Sequence, residues 1–241
     1  GMKQAENCEL YAIAGRSMEK ALQFKEKYGF EKAYGSYQEL IDDPEVEAIY
    51  NPLPNTMHHE WTIKELKAKK HVLCEKPMAL NLREAKEMFS YAEKNNVLLM
   101  EAMWARLVPG TIKMLEIIAN GVLGDILGVE GKFCYTMDED EMDHHVFKNE
   151  NGGGSLLDVG VYGLNFASWY LGKDVAEINA QADIFNGVDS HTCALLKYKN
   201  GAIADLSSAI LLRKPNEGYV YGSKGYAHLQ RFYAPQQIEI C

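Results

Sequence analysis

Three side chains in this 241-residue sequence have the types and neighbours suited to moving protons: Lys76, between Glu75 and Pro77, and the pair Asp158 and Tyr162. The stretch Lys70-His71-Val72-Leu73-Cys74-Glu75-Lys76-Pro77 reads as a short apolar strand that delivers a carboxylate, an ammonium and a rigid proline to one point. At the end of a buried strand, neighbouring charges and partial desolvation tune a lysine toward catalytic use. On its own the tripeptide equally fits a solvated charged turn. Asp158 and Tyr162 sit at i and i+4 of an expected helix from about Ser155 to Trp169, so they share one face. Leu157, Val161 and Leu164 occupy another face, suited to packing on a sheet. A phenol ionises near ~10, so Tyr162 exchanges protons at neutral pH only if a cation such as Lys76 lowers that value; otherwise it plugs a domain interface.

The elements that must position these groups follow from periodicity and punctuation. Glu9 to Ala14 is a strand candidate, and Ser17 caps a helix to Tyr28 with Gly29 beyond its end. Ser36 with Glu39 forms a capping box for a short helix that Pro44 stops. Val46 to Tyr50 is the next strand, running into Asn51-Pro52-Leu53-Pro54-Asn55. A helix from Thr56 carries Trp61, Ile63 and Leu66; Lys67, Lys69 and Lys70 read as cations at its C-terminus. Asn81 with Glu84 caps another helix, faced by Leu82, Ala85, Met88, Phe89 and Ala92, and Val97 to Met100 is a further strand. Strands alternating with helices imply a parallel sheet in which ligands lie at the C-terminal strand ends. Arg16, Asn51 to Asn55, Glu75 to Pro77 and Glu101 all fall there.

After about Arg106 the character changes. A helix from Thr111 to Asn120 and a strand from Ile126 to Tyr135 precede an irregular acidic segment, Asp138 to Asn151, which holds His144 and His145. Adjacent loop histidines rarely face one ion, so no metal is assigned. From Val175 the chain is β-rich, with strands over 178–185, 191–198, 202–209, 218–221 and 227–232, and Asn200-Gly201 signals a two-residue hairpin. The fold class is therefore α/β: a Rossmann-like parallel sheet over residues 1–105, then an α+β domain with a mainly antiparallel sheet over 106–241.

Composition narrows the function. A net charge of −9 with no clustered basic face argues against nucleic acid, and no apolar run reaches membrane-spanning length. Five scattered cysteines without paired spacing suggest a reduced, cytoplasmic setting and no zinc. At the end of the first strand, where NAD-binding folds place an acid, this chain has Gly15-Arg16-Ser17. Arg16 could be an exposed loop arginine; in a fold that held a dinucleotide it would pair with a 2′-phosphate and Ser17 would add a hydroxyl at a helix N-terminus, which would favour NADP over NAD.

Four motifs occur in order: Pro52-Leu53-Pro54-Asn55-Thr56-x-His58, His71 to Pro77, Glu101-Ala102-Met103-Trp104-x-Arg106, and Gly152-Gly153-Gly154-Ser155 through Asp158 to Tyr162. Together they resemble the glucose-fructose oxidoreductase / inositol dehydrogenase family, in its dihydrodiol and sugar dehydrogenase branch. The resemblance implies a nicotinamide-dependent oxidoreductase of a sugar, polyol or dihydrodiol. It also implies that Lys76 and Tyr162 are the proton-transfer pair and that Asp158 binds the substrate hydroxyl. Glu75 would lie beneath the nicotinamide, and Pro77 would fix the turn through a cis peptide bond. The cofactor would meet Arg16, Ser17, Pro52, Leu53, Asn55, His58, Glu75, Lys76 and Pro77, while Trp104 and Arg106 wall the substrate side with Asp158 and Tyr162. The alternative is a non-catalytic, ligand-sensing member of the fold. A homodimer through the C-terminal sheet is expected.

One departure stands out. The sequence contains no Gly-x-Gly-x-x-Gly turn to hold a pyrophosphate, and Gly152 to Gly154 follow an acidic loop rather than a strand. Lys3 to Asn7 resemble the tail of the helix that would follow such a turn. The reading is of a fragment lacking the first strand and part of the C-terminus, with weak NADP binding and turnover in doubt. Loss of a central strand would leave two unpaired edges or force its neighbours together.

Overall fold

The computed structural model describes residues 4–137 and 143–241. Expectations that rest on Lys3 or the acidic segment 138–142 lie outside the described residues. The chain forms two compact units, Gly1–Leu53 with Met57–Glu101, and Pro54–Thr56 with Ala102–Cys241.

In the first unit β1 (Ala12–Ala14), α1 (Met18–Tyr28), β2 (Lys32–Tyr34), α2 (Tyr37–Asp42), β3 (Ala48–Asn51), α3 (Asn55–Lys67), β4 (His71–Cys74), α4 (Leu82–Asn95) and β5 (Leu99–Glu101) alternate in order. The caps form where short-range chemistry dictates. Ser17, Ser36 and Asn81 each accept the backbone N–H three residues on, and Gly29 and Asn96 close their helices in the left-handed region. Every ladder is parallel, yet the strands make two sheets: β1 pairs with β2, and β3-β4-β5 form the other. No ladder joins β1 to β3. Of the two outcomes foreseen for this sheet, the structure adopts unpaired edges. Apolar side chains connect the parts together with Asp43, whose carboxylate accepts Lys32 Nζ at 3.0 Å and the Tyr34 hydroxyl at 2.5 Å and whose carbonyl accepts Lys70 Nζ. Ile41, Val46 and Ile49 pack with Tyr11 and Ala12 in one apolar cluster; Ile63, Leu66, Val72, Cys74, Met78, Met88 and Ala92 form a second.

Several sequence expectations change here. The strand β2 was not foreseen, being three residues long with its pairing set by β1. Lys70 is buried and donates to the Asp43 carbonyl at 2.7 Å, so it is a tie between segments rather than a solvated helix-end cation. On α4 only Met88 and Ala92 of the expected apolar face are buried, while Leu82 and Phe89 are exposed.

The second unit begins with a 3₁₀ turn at Trp104–Leu107 and α5 (Pro109–Ala119), with proline at the first helical position. Then come β6 (Ile126–Cys134), short 3₁₀ turns at His145–Phe147 and Asn149–Asn151, a π turn at Leu156–Gly160, and α6 (Val161–Leu171). The remaining strands are β7 (Val175–Phe185), β8 (Val188–Tyr198), β9 (Ile203–Ala209), β10 (Glu217–Gly222), β11 (Gly225–Gln230) and β12 (Ile238–Ile240). They form one seven-stranded sheet in the order β12-β11-β10-β6-β9-β8-β7, antiparallel except for the β6–β9 pair. A single large core, centred on Phe166, Met114, Leu123, Val220, Leu229 and Phe232, lies between the sheet and α6. The two-residue Asn-Gly hairpin exists, but at Asn186-Gly187 between β7 and β8, where both residues have positive φ and Phe185 pairs with Val188. At Asn200-Gly201 only the glycine has positive φ; Tyr198 N donates to Ala202 O, which makes a three-residue loop instead of the expected two.

Candidate active site

The first unit gathers its candidate residues at the C-terminal ends of β1, β3, β4 and β5. Beyond β4, Glu75 is held at both oxygens: Oε1 accepts the Tyr50 hydroxyl at 2.6 Å and Oε2 accepts the Lys76 N–H at 3.0 Å. Burial, and then the bond to Glu75, push the Tyr50 phenol well above its usual range, so it stays a neutral donor. The Lys76–Pro77 peptide is cis, as the resemblance implied. Lys76 is half-buried and the next turn is pinned by Glu101 Oε1, which accepts Met78 N at 3.0 Å. His58, one per cent exposed, spans the carbonyls of Leu53 (2.7 Å) and Pro77 (2.9 Å). It ties the two loops together from beneath and presents no surface of its own. Asn51 completes the scaffold, its carbonyl accepting Glu75 N and its side chain accepting Leu53 N, with Pro52 exposed between them.

Beneath these loops lies a polar island. Asn51 Nδ2 donates to Thr62 Oγ1 at 3.2 Å, and Glu65 and Cys74 adjoin them. Glu65 is four per cent exposed, with Oε2 lacking a partner. Burial raises its carboxyl to about 7, opposed only by the Asn51 amide. The buried Cys74 thiol is pushed up to about 12 by the same desolvation and is inert.

At the end of β1, a cavity of about 490 Å³ is lined by Ile13, Ala14, Gly15, Arg16, Ser17, Lys20, Ala21 and Phe24. Its wall combines the first turn of α1, two cationic side chains and an apolar floor. That donor set fits the phosphorylated ribose and adenine end of a dinucleotide. Ser17 is committed to capping α1 through Lys20 N. Lys20 was not singled out by sequence; its signal was its place one turn beyond Arg16 on the capped helix.

In the second unit the triple glycine is a matter of space. A Cβ at Gly153 would stand 2.3 Å from the Val146 carbonyl, and one at Gly154, where φ is +106°, would stand 2.2 Å from the Asp189 carboxylate. That close approach lets Asp189 accept from Ser155 Oγ (2.6 Å), Leu156 N (2.8 Å) and Thr192 Oγ1 (2.7 Å), anchoring the start of the helical segment. The segment then runs as a π turn through Asp158 before α6 begins, so Asp158 and Tyr162 do not have the plain α-helical offset expected of them. The buried face also differs: Tyr162, Phe166, Ala167 and Tyr170 are buried, whereas Leu164 is exposed.

Both groups are individually oriented. Tyr135 donates its hydroxyl to Asp158 Oδ2 at 2.7 Å, and Trp104 Nε1–H donates to the Tyr162 oxygen at 3.0 Å. Around Tyr162 stand Trp104, Phe133 and Tyr233, the last two stacked at 4.0 Å. Tyr135, Phe133 and Tyr233 were not foreseen as neighbours, because strand and C-terminal segment meet here only through the fold. Arg106 is exposed on the turn after Trp104. Asn55 spends its side-chain amide on the Gly152 carbonyl at 3.0 Å. His144 caps the turn that follows it, and among the described residues no group of His, Cys, Asp and Glu is placed to hold a metal ion. No helix among them is long and apolar enough to cross a membrane.

Comparison with known proteins adds to this geometry. A family model described as an oxidoreductase family with an NAD-binding Rossmann fold matches residues 1–103, and the GFO/IDH/MocA C-terminal domain model matches residues 111–228. Trans-1,2-dihydrobenzene-1,2-diol dehydrogenase of Mus musculus is 36% identical over 96% of this chain and 69% of its own length. An uncharacterized oxidoreductase of Rhizobium meliloti is 32% identical over 100% of this chain and 72% of its own. Among solved structures, aldose-aldose oxidoreductase from Caulobacter crescentus, complexed with glycerol, superposes with a TM-score of 0.90 at 26% identity, covering 99% of this chain and 74% of that one. A 3-ketoreductase from Actinomadura kijaniata, in complex with NADP and TDP-benzene, gives 0.88 at 28% identity, covering 100% and 78%.

Proposed function

The chain belongs to the GFO/IDH/MocA oxidoreductase family, as an NAD(P)-dependent enzyme of CH–OH groups, and from that premise we propose that it interconverts a hydroxyl and a carbonyl on a sugar, polyol or dihydrodiol with NADP as cofactor. The observation that carries the reading is the Trp104 N–H directed at the Tyr162 oxygen, beside an Asp158 carboxylate oriented by Tyr135. A donor aimed at a phenolic oxygen stabilises the negative charge that develops there as the phenol gives up its proton. Tyr162 is the acid when a carbonyl is reduced and the base when an alcohol is oxidised. Lys76 is the cation that supports this exchange, and Asp158 accepts a hydrogen bond from a substrate hydroxyl. Trp104, Phe133 and Tyr233 supply an apolar wall suited to the carbon face of a ring, with Arg106 at its rim.

Nicotinamide, when bound, supplies or receives the hydride. Arg16 and Lys20 would hold the 2′-phosphate that separates NADP from NAD, and Glu75, Pro77 and the Pro52-Leu53 turn would form the bed for the ring end. Asn55 and His58 act behind that bed, through the backbone groups they hold. The relatives named above, one a dihydrodiol dehydrogenase and one a ketoreductase with NADP, support both substrate class and cofactor.

The test is an assay of NADPH-linked turnover with aldoses, ketoses and trans-dihydrodiols on the parent chain and on Tyr162→Phe. Loss of the hydroxyl is expected to lower turnover by about 10²–10⁴-fold with NADPH affinity unchanged. Undiminished turnover in Tyr162→Phe would remove Tyr162 from the mechanism. Tighter binding of NADH than of NADPH would overturn the assignment of Arg16 and Lys20.

A further inference from the structure

Tyr50 serves the candidate site without belonging to any of its motifs. It is the third residue of β3, where Ile49 and Asn51 are buried and Ala48 and Tyr50 are exposed. The parallel register sets Tyr50 beside Leu73 of β4, so Glu75, two residues beyond Leu73, projects from the same sheet face one diagonal step away. The phenol spans that step, and its hydroxyl donates to Glu75 Oε1 at 2.6 Å. The next residue of β3 completes the grip, its carbonyl accepting Glu75 N at 3.0 Å, while Glu75 Oε2 accepts Lys76 N at 3.0 Å. Tyr50 and Asn51 thus fix the carboxylate and the main chain of Glu75 together.

The bond from Tyr50 is charge-assisted, a neutral hydroxyl giving its proton toward an anionic oxygen and taking up part of the charge. Burial, and then Glu75 itself, push the phenol above its usual range, so the donor persists through neutral pH. Tyr50 is 38% exposed, so water reaches Glu75 when the hydroxyl is removed and no buried group is orphaned. Such water moves with the carboxylate. What is lost is the tether that holds Oε1 toward β3.

A nicotinamide ring is cationic when oxidised and neutral when reduced. In the function proposed above Glu75 forms part of the bed for that ring, and the inference rests on that reading. A carboxylate in the bed favours the cationic form, more strongly as it is freer to turn toward the positive charge. Tyr50 tethers the carboxylate and spreads its charge, and both effects hold that preference down. We propose that Tyr50 is a positioning residue which, through Glu75, sets the balance of affinity between oxidised and reduced cofactor. In the reductive direction the oxidised cofactor is the product, so the tether speeds its release.

The test uses Tyr50→Phe, which keeps the ring and removes only the hydroxyl. NADPH is titrated by its nicotinamide fluorescence, and NADP⁺ by competition against it, on the parent, on Tyr50→Phe and on Ser36→Ala, whose lost cap lies on α2. The ratio of the two dissociation constants is read, because partial unfolding changes both alike and leaves the ratio where it was. Tyr50→Phe is expected to shift it about fivefold in favour of NADP⁺, with Ser36→Ala at the parent value. Glu75→Gln, which removes the charge, is expected to shift it toward NADPH and to abolish the effect of Tyr50→Phe when the two are combined. An unchanged ratio in Tyr50→Phe, or a shift toward NADPH, overturns the proposal and leaves the cofactor reading standing. A parent ratio in Glu75→Gln overturns it whether or not Tyr50→Phe folds. Failure of the parent to bind either form overturns the cofactor reading, and the proposal with it.

Discussion

The two units hold their chemical groups by different means. In the first, Glu75 and Lys76 stand on loops at strand ends and are fixed from below by other loop and helix residues: Tyr50 on Glu75, Glu101 on Met78, His58 across Leu53 and Pro77. The supporting core is divided between two apolar clusters, one of which bridges the two separate sheets through Ala12 and Ile49. In the second, Asp158 and Tyr162 project from a π turn and a helix that lie on one continuous sheet and one large core, and their partners Tyr135 and Trp104 come from elements packed on the same unit. The difference teaches that rigidity at a site can come from backbone ties where little core is available, or from side-chain packing where a sheet supplies it.

That contrast can be broken or sharpened by experiment. Lys76→Met, on the loop side, should cost the most, lowering turnover by about 10²–10⁴-fold while NADPH titration remains near the parent curve; full turnover would show that the loop group is dispensable. Phe166→Ala removes a fully buried ring from the large core and should destabilise the second unit by about 3–5 kcal/mol, read by chemical unfolding. A much smaller value would mean that the core is less tightly packed than the contrast requires.

Glu65→Gln tests the first unit through pH. The folded carboxyl, raised from 4.5 to about 7, binds more protons than the unfolded one. Its contribution to stability is therefore intact below about pH 4.5 and is lost as pH rises toward 7, by roughly 3 kcal/mol in all. The glutamine variant should match the parent in acid and exceed it above neutrality; parallel stability profiles would contradict a buried, neutral Glu65. Ser36→Ala is the smallest change, removing the cap that accepts Glu39 N at 3.2 Å and costing about 1 kcal/mol in the first unit alone.

What was legible in the sequence was local. Ser17 and Gly29 bound α1 because caps depend on residues within one turn, and the β4 strand with its Glu75-Lys76-Pro77 end followed from a short apolar run. The misses depended on distant partners. β2 is defined by β1, and Lys70 is buried because the Asp43 carbonyl reaches it. The π turn arises where Asp189, far along the chain, anchors Ser155 and Leu156 beside a glycine with no room for a side chain. Two Asn-Gly pairs look alike in sequence, and only strand register separates the tight hairpin at Asn186 from the longer loop at Asn200. Tyr50 and Tyr135, which orient the carboxylates, carried no motif signal.

The gap between β1 and β3 also sets how the molecule breathes. Each of those strands has one hydrogen-bonded neighbour, whereas β6 and β9 are laddered on both sides. Opening β1 therefore breaks one short ladder, while opening β6 breaks two long ones. Amide exchange should follow that order, with protons of Ala12 to Ala14 replaced by deuterium well before those of Val129 to Phe133. The half of the protein that shapes the cavity at the end of β1 is thus the half that samples open states first, so a ligand filling that cavity would register as slowed exchange at β1.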